Sequence, residues 1–256
     1  MINYTNTIQI IFIIIENSTP MKTYKNHARL SGIFFLTAFV GGIIGFSFLG
    51  AAIETPLDLN EVADNDTQII IGAVGILLMA FSTASIAIPL YPVLKKKNEG
   101  VALASVVFRT IESVGYVIVA ISIMVMVKLS HLFEDAGSPT NDTSYQRIGE
   151  ILQELFKTDF GIPFFVIGAF MYYFLFYQTR LIPRWLSVWG IFGILCNFLN
   201  VFLKLFSVYD EESMIATLSE LPLAANELVL AVWLILKGFN INALEELESA
   251  TKPSIS

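Results

Sequence analysis

A six-helix, all-α membrane bundle is the fold this sequence predicts, and three observations carry the prediction. Of the 256 residues, 55% are hydrophobic and only 14% charged, whereas soluble domains carry about a quarter charged residues. The apolar residues fall in blocks long enough to cross the bilayer, which takes about 20 residues as helix. Lys and Arg collect in alternate connections between those blocks. With a mean hydropathy of +0.69, the apolar excess cannot all be buried in one soluble core, because a compact protein in water needs a polar exterior. A lipid-facing exterior needs none.

Taken in order, the spans are expected at residues 30–53, 68–91, 101–128, 160–180, 184–206 and 220–238. They form one membrane domain over 21–240, followed by a short polar cytoplasmic tail, 241–256. Residues 1–20 hold the apolar run IQIIFIII at 8–15. That run is too short to cross, and it lacks both the basic n-region and the cleavage site of a signal peptide. MKTYKNHARLSG, beginning at Met21, opens like a natural start, so residues 1–20 are read as an upstream extension. A short segment lying on the membrane surface is the alternative.

Topology follows from the charges. Ten Lys and Arg lie on one side: Lys22, Lys25, Arg29, Lys95, Lys96, Lys97, Arg180, Arg184, Lys237 and Lys252. Four lie on the other: Lys128, Arg147, Lys157 and Lys204. The positive-inside rule then places both termini in the cytoplasm. The opposite connections are acidic, ETPLDLNEVADND after span 1 and YDEES after span 5. Tyr91, Tyr177, Trp185 and Trp233 sit where an interfacial aromatic belt is expected. Between spans 3 and 4, Ile148, Ile151, Leu152, Leu155 and Phe156 recur at helical spacing, which predicts an amphipathic helix that lies on the outer membrane surface or caps the bundle. Asn65 and Asn141 each begin an acceptor tripeptide for glycosylation, a pattern common by chance.

The net charge of −7 leaves no basic face for nucleic acid. One cysteine, Cys196, and two distant histidines, His27 and His131, give neither an intrachain disulfide nor metal-ligand spacing. No metalloprotease, nucleophile-elbow or phosphate-loop motif is present. No cofactor is expected, and a non-enzymatic protein is the expectation.

Polar residues inside the spans carry what functional signal there is. Arg109 and Glu112 stand in an otherwise uncharged run from Val101 to Val127, and Glu227 lies in the last span. Each costs about 2.5–3.5 kcal/mol near the bilayer centre, so such residues face the interior and find partners. At 1.5 Å per residue, Glu112 sits about 16 Å from one face and Glu227 about 10 Å from the other, a shared depth band. One arginine balances only one carboxylate, so the second needs a proton, water, or donors such as Asn226 or Asn197. In one reading Arg109 bridges Glu112 and Glu227 and clamps span 3 to span 6. In the other the spare carboxylate lines a wet cavity and binds a proton, a cation or a small polar ligand. Asn197 and Asn200, three apart in span 5, join the candidate binding residues; interhelical hydrogen bonding is their ordinary role. Gly41 and Gly45 form a small-residue pair suited to close helix approach. GAVGIL at 72–77 and GIFGIL at 190–195 are alike over too few residues to define a repeat.

Four stretches, ARLSGIFFLTAFVGGIIG at 28–45, FRTIES at 108–113, RLIPRWLSVWGIFGIL at 180–195 and NELVLAVWLILKG at 226–238, together resemble domain-of-unknown-function family 4386, bacterial multi-pass membrane proteins. The resemblance spans about residues 25–238 and rests most specifically on Arg-x-x-Glu in span 3 and the Glu-to-Lys-Gly run of span 6. It implies a helical bundle in a bacterial cytoplasmic membrane, brings no activity with it, and draws attention to Arg109, Glu112, Glu227 and Lys237. The expectation is a transporter-like or ligand-sensing bundle embedded in lipid. The alternative is a structural or accessory protein whose charged cluster only locks helices and whose surface meets a partner. Oligomeric state is not legible.

Overall fold

In the computed structural model, the described residues are 20–52, 54–138, 143–157, 161–206 and 214–251. The YDEES connection and most of the Asn141 tripeptide fall outside them, as does the extension before Pro20. Among the described residues the chain is helical: α1 (Pro20–Ser47), α2 (Leu59–Asp64), α3 (Asp66–Leu94), α4 (Glu99–Asp135), α5 (Ser144–Lys157), α6 (Ile162–Thr179), α7 (Arg184–Leu205), α8 (Met214–Leu236) and α9 (Ile241–Thr251). Six of these, α1, α3, α4, α6, α7 and α8, are long and apolar enough to cross a membrane. Their outward faces are apolar as well: Phe81, Ile88, Val114 and Phe192 are all more than half exposed.

Helix ends follow local chemistry. Asn98 caps α4 by accepting from Val101 N at 3.0 Å, and Asp58 caps α2 by accepting from Asn60 N at 2.9 Å; each supplies an acceptor that the first turn lacks. The α6 helix stops where Arg180 takes a left-handed φ of 56°. Gly238, at φ +73°, turns the chain from α8 into α9 in a conformation that disfavours side chains.

The first span ends earlier than hydropathy suggests, at Ser47 rather than 53. A short 3-10 turn at Gly50–Ala52 follows, with Gly50 at φ +35°. The apolar residues after Ser47 are consumed in a cap: Leu49, Ala52, Leu57, Leu59 and Val62 pack with Ile123 and Met126 of α4 into a second core. At 37 residues, α4 outruns the bilayer, and α2 and α5 pack against its far end.

The amphipathic α5 lies on this acidic end of the bundle. Its buried side is offset from the expected stripe. Leu152 and Phe156 pack inward with Tyr145, while Ile148, Ile151 and Leu155 face outward. The reason is Gln153, which is buried and donates from Nε2 to Ala52 O at 3.1 Å and Glu54 O at 2.8 Å. It thereby satisfies carbonyls of the irregular segment after α1.

At the opposite, basic end, residues 241–251 are a docked helix rather than a tail. Ala243, Leu244 and Leu247 are buried in the main core, and Asn240 N donates to Leu181 O at 2.9 Å. Glu248 accepts from Tyr24 Oη at 2.7 Å and pairs with Lys96 Nζ at 3.1 Å; Lys96 also sits 5.0 Å over the Tyr24 ring. These contacts gather α1, the α3–α4 connection and α9 at one end.

Two glycine contacts fix how α1 crosses the bundle. Toward the acidic end it presses on α3: a Cβ at Gly75 would lie 2.5 Å from Gly45 N and 2.9 Å from Gly41 O. Toward the basic end it touches α8 instead, where a Cβ at Gly32 would lie 2.7 Å from Ala231 O. Such approaches are available only to residues without side chains. The helix therefore leaves α8 as it runs toward the acidic end, and the two diverge. Hydroxyl groups add interhelical ties, Ser31 Oγ to Ile86 O at 2.8 Å and Ser113 Oγ to Ala80 O at 2.6 Å. The likeness of GAVGIL and GIFGIL has a packing basis: Gly75 meets Gly45, and a Cβ at Gly193 would lie 2.8 Å from Leu223 Cα.

Candidate functional site

Where α1 and α8 diverge, a cavity of about 620 Å³ reaches to the bundle centre. Its polar floor is supplied by Arg109, Glu112 and Tyr116 of α4 and by Glu227 of α8, with Thr83 of α3 beside them. Glu220 stands on the wall toward the acidic end. The sequence brings these groups together because α4 and α8 run in opposite directions. Residues 109–112 and 227 therefore reach the same depth from opposite faces.

Arg109 and Glu112 are each 1% exposed. They form an ion pair within one helical turn of α4, Nη1 to Oε2 at 2.8 Å. The approach is close, but neither atom has a hydrogen bond of good geometry. Arg109 is otherwise seated by Nε donating to Thr83 O at 3.4 Å and by the Phe165 ring, 4.9 Å from its guanidinium carbon. The backbone beneath is tight: a Cβ at Gly168 of α6 would lie 3.2 Å from Arg109 N.

Glu227 belongs to the same cavity but stands apart from that pair. No ion pair joins it to Arg109 among the described residues, and its contact is Tyr172 Oη at 3.5 Å, the outer limit of a hydrogen bond. It is only partly buried, its open side facing the cavity. Among the described residues the arginine is thus paired along its own helix, and no direct ion pair crosses from α4 to α8.

The three asparagines divide differently. Asn226, fully buried, accepts from Tyr173 Oη at 2.5 Å and donates to Leu186 O at 3.0 Å. It ties α8 to α6 and α7 and does not line the cavity. Asn200 Nδ2 donates to Glu220 Oε1 at 3.1 Å, so it reaches the cavity only by orienting Glu220. Asn197 is buried, its Oδ1 without a hydrogen-bond partner among the described residues, and lies away from the lining. Lys237 falls elsewhere, beside Arg180 and Arg184 around a separate hollow of about 440 Å³ at the basic end.

Residues that sequence reasoning missed are Tyr116, Thr83, Phe165, Glu220 and the α1 wall. Only Glu220 carried a signal, a carboxylate at the first turn of an apolar block. Among the described residues no group of His, Cys, Asp and Glu could hold a metal ion. His131 instead sits at the acidic end, 3.2 Å from Asp66 Oδ2.

Chemically, the arrangement offers three carboxylates against one guanidinium, in a space of the size that takes small organic ligands, about 300–1,000 Å³. No curated protein and no solved structure matches the chain. The model of a domain of unknown function, DUF4386, matches residues 30–238, the stretch that builds every wall of this cavity. The chain belongs to the DUF4386 family.

Proposed function

We propose that this membrane protein binds a small organic cation in the α1–α8 cavity, as a transporter-like or sensing bundle, and does not transform it. One observation carries the reading. At the floor of the cavity the single guanidinium, Arg109, is already paired with Glu112 at 2.8 Å, which leaves the Glu227 carboxylate on the same lining as surplus negative charge. Volume chooses the class of cation. A bare metal ion would need about six to eight oxygen ligands close around it, whereas 620 Å³ accommodates an organic group with room for water.

The excess of Lys and Arg at the end that holds Lys95, Lys96 and Lys97 supports placing that end in the cytoplasm. The family resemblance supports a bacterial cytoplasmic membrane.

Tetramethylammonium is the test probe, with melting followed by far-UV circular dichroism in lipid nanodiscs. The wild type is expected to melt higher as the probe is added, and Glu227→Gln to fold normally and lose the response. In the absence of probe, Arg109→Ala should be severely destabilising and Glu227→Ala nearly neutral. The clamp would be upheld and the binding reading overturned if both single changes were severe, the double change were milder, and no probe response occurred.

A further inference from the structure

From the same cavity, and resting on the reading just given, we infer that the ligand is an amphiphile: a cationic head with an apolar tail that arrives sideways from the bilayer. The mouth is the ground for this. Phe39, Ile43, Phe46 and Leu228 line the cavity, yet they are 43%, 53%, 60% and 41% exposed on the outer faces of α1 and α8. A side chain that is both wall and lipid-facing surface marks a place where the wall is open to the hydrocarbon.

The glycine contacts explain why the opening is lateral. Gly41 and Gly45 pull the acidic half of α1 onto Gly75 of α3, while Gly32 pins its other half to Ala231 of α8. The two membrane helices form a V whose apex is Gly32–Ala231 and whose open arms face lipid. Polarity is graded along the same line. The deep end holds Arg109, Glu112 and Glu227, and the rim offers Phe39, Ile43, Phe46, Ala224 and Leu228. A head group that neutralises the surplus carboxylate at the floor leaves its tail among those apolar rim residues, continuous with the acyl chains outside. A ligand without a tail would leave that rim facing water or lipid with nothing to pack on it.

The experiment compares dodecyltrimethylammonium, below its micellar concentration, with tetramethylammonium in zwitterionic-lipid nanodiscs, reading the melting temperature by circular dichroism. Ala224→Trp fills the mouth one helical turn before Glu227, and Glu227→Gln alters the floor alone. The expected result is an equal rise in melting temperature at a concentration at least tenfold lower for the long-chain ion. Ala224→Trp should remove that advantage, weakening the long-chain response at least tenfold more than the tetramethylammonium response, and Glu227→Gln should abolish both responses. If the two ions act at equal concentrations, or if the advantage survives Ala224→Trp, the lateral amphiphile is overturned while cation binding stands, the ligand then arriving from water past Ser47 and Glu220. If neither ion shifts the wild type, both readings fall.

Discussion

Replacing Gly75 by alanine probes the contact that sets the course of α1. The added Cβ would sit 2.5 Å from Gly45 N and 2.9 Å from Gly41 O, both backbone atoms that no rotamer change can move aside. Ordinary contact begins near 3.4 Å, so α1 and α3 must part by about 1 Å, an overpacking of the kind that costs about 1–3 kcal/mol. At about 2–4 °C per kcal/mol for a chain of this size, the melting temperature should fall by about 2–12 °C. Gly100 provides the control. It occupies the first turn of α4, where a Cβ would meet only Asn98 Oδ1, at 3.6 Å. Alanine there removes backbone freedom from the unfolded chain and should stabilise by up to about 0.4–1 kcal/mol. The assay is thermal melting of both variants by circular dichroism in nanodiscs, and opposite signs are expected. If Gly75→Ala melts with the wild type or above it, or if the two alanines behave alike, close backbone approach is not what seats α1. The origin assigned to the V would then be wrong.

Gln153→Ala strips donors from Ala52 O, on a buried residue, and from Glu54 O, on an exposed one, and should cost about 1–3 kcal/mol for the buried acceptor left unsatisfied; lower melting with faster hydrogen exchange around residues 48–59 is the expected signature. Asn226→Leu removes the partner of the Tyr173 hydroxyl and of Leu186 O and should cost about 2–5 kcal/mol, yet leave the tetramethylammonium response of the folded protein intact, since Asn226 binds helices and not ligand. Lys96→Met should cost only about 0.2–1 kcal/mol, because the pair with Glu248 is partly exposed. Partial burial works to lower the Lys96 ammonium, but hydrogen bonds and charge from Tyr24 and Glu248 outweigh it and hold the group above its ordinary range. A raised folded-state value means the contribution is complete below about pH 10.4 and fades as pH climbs through the folded value. The difference in stability between wild type and Lys96→Met should therefore be flat from pH 7 to pH 9 and shrink only in strong alkali.

Hydropathy located all six spans because lipid imposes a composition on every turn of a spanning helix. It overran the end of α1 because FLGAAI is as apolar as the span before it. Burial in the cap under α5 and burial in lipid ask for the same residues, and nothing in composition announces the positive φ of Gly50. The C-terminal helix was hidden for the opposite reason: three inward residues, Ala243, Leu244 and Leu247, stand among acidic ones. Arg109, Glu112 and Glu227 were legible as charges where charge is expensive, and antiparallel counting put them at one depth. The clamp drawn from that depth was not forced by it, since depth does not fix azimuth: Arg109 found Glu112 on its own helix before reaching α8. The concave surface itself was out of reach. Phe39, Ile43 and Phe165 look like any lipid-facing or core residue, and only the crossing set by Gly32, Gly41 and Gly45 makes them walls.

The contacts that close the basic end also set an order of events during synthesis. Tyr24 and Glu248 are 224 positions apart, which at about 5–20 residues per second is roughly 10–45 s of translation. Gly32 waits almost as long for Ala231. Through that interval the growing chain already carries Arg109 and Glu112 in the membrane, while the helix that supplies Glu227 and Ala224 has yet to be made. The guanidinium–carboxylate pairing inside α4 then has a second consequence. Being local, it lets both charges enter the bilayer already neutralised by one another, without waiting for a partner from the last helix.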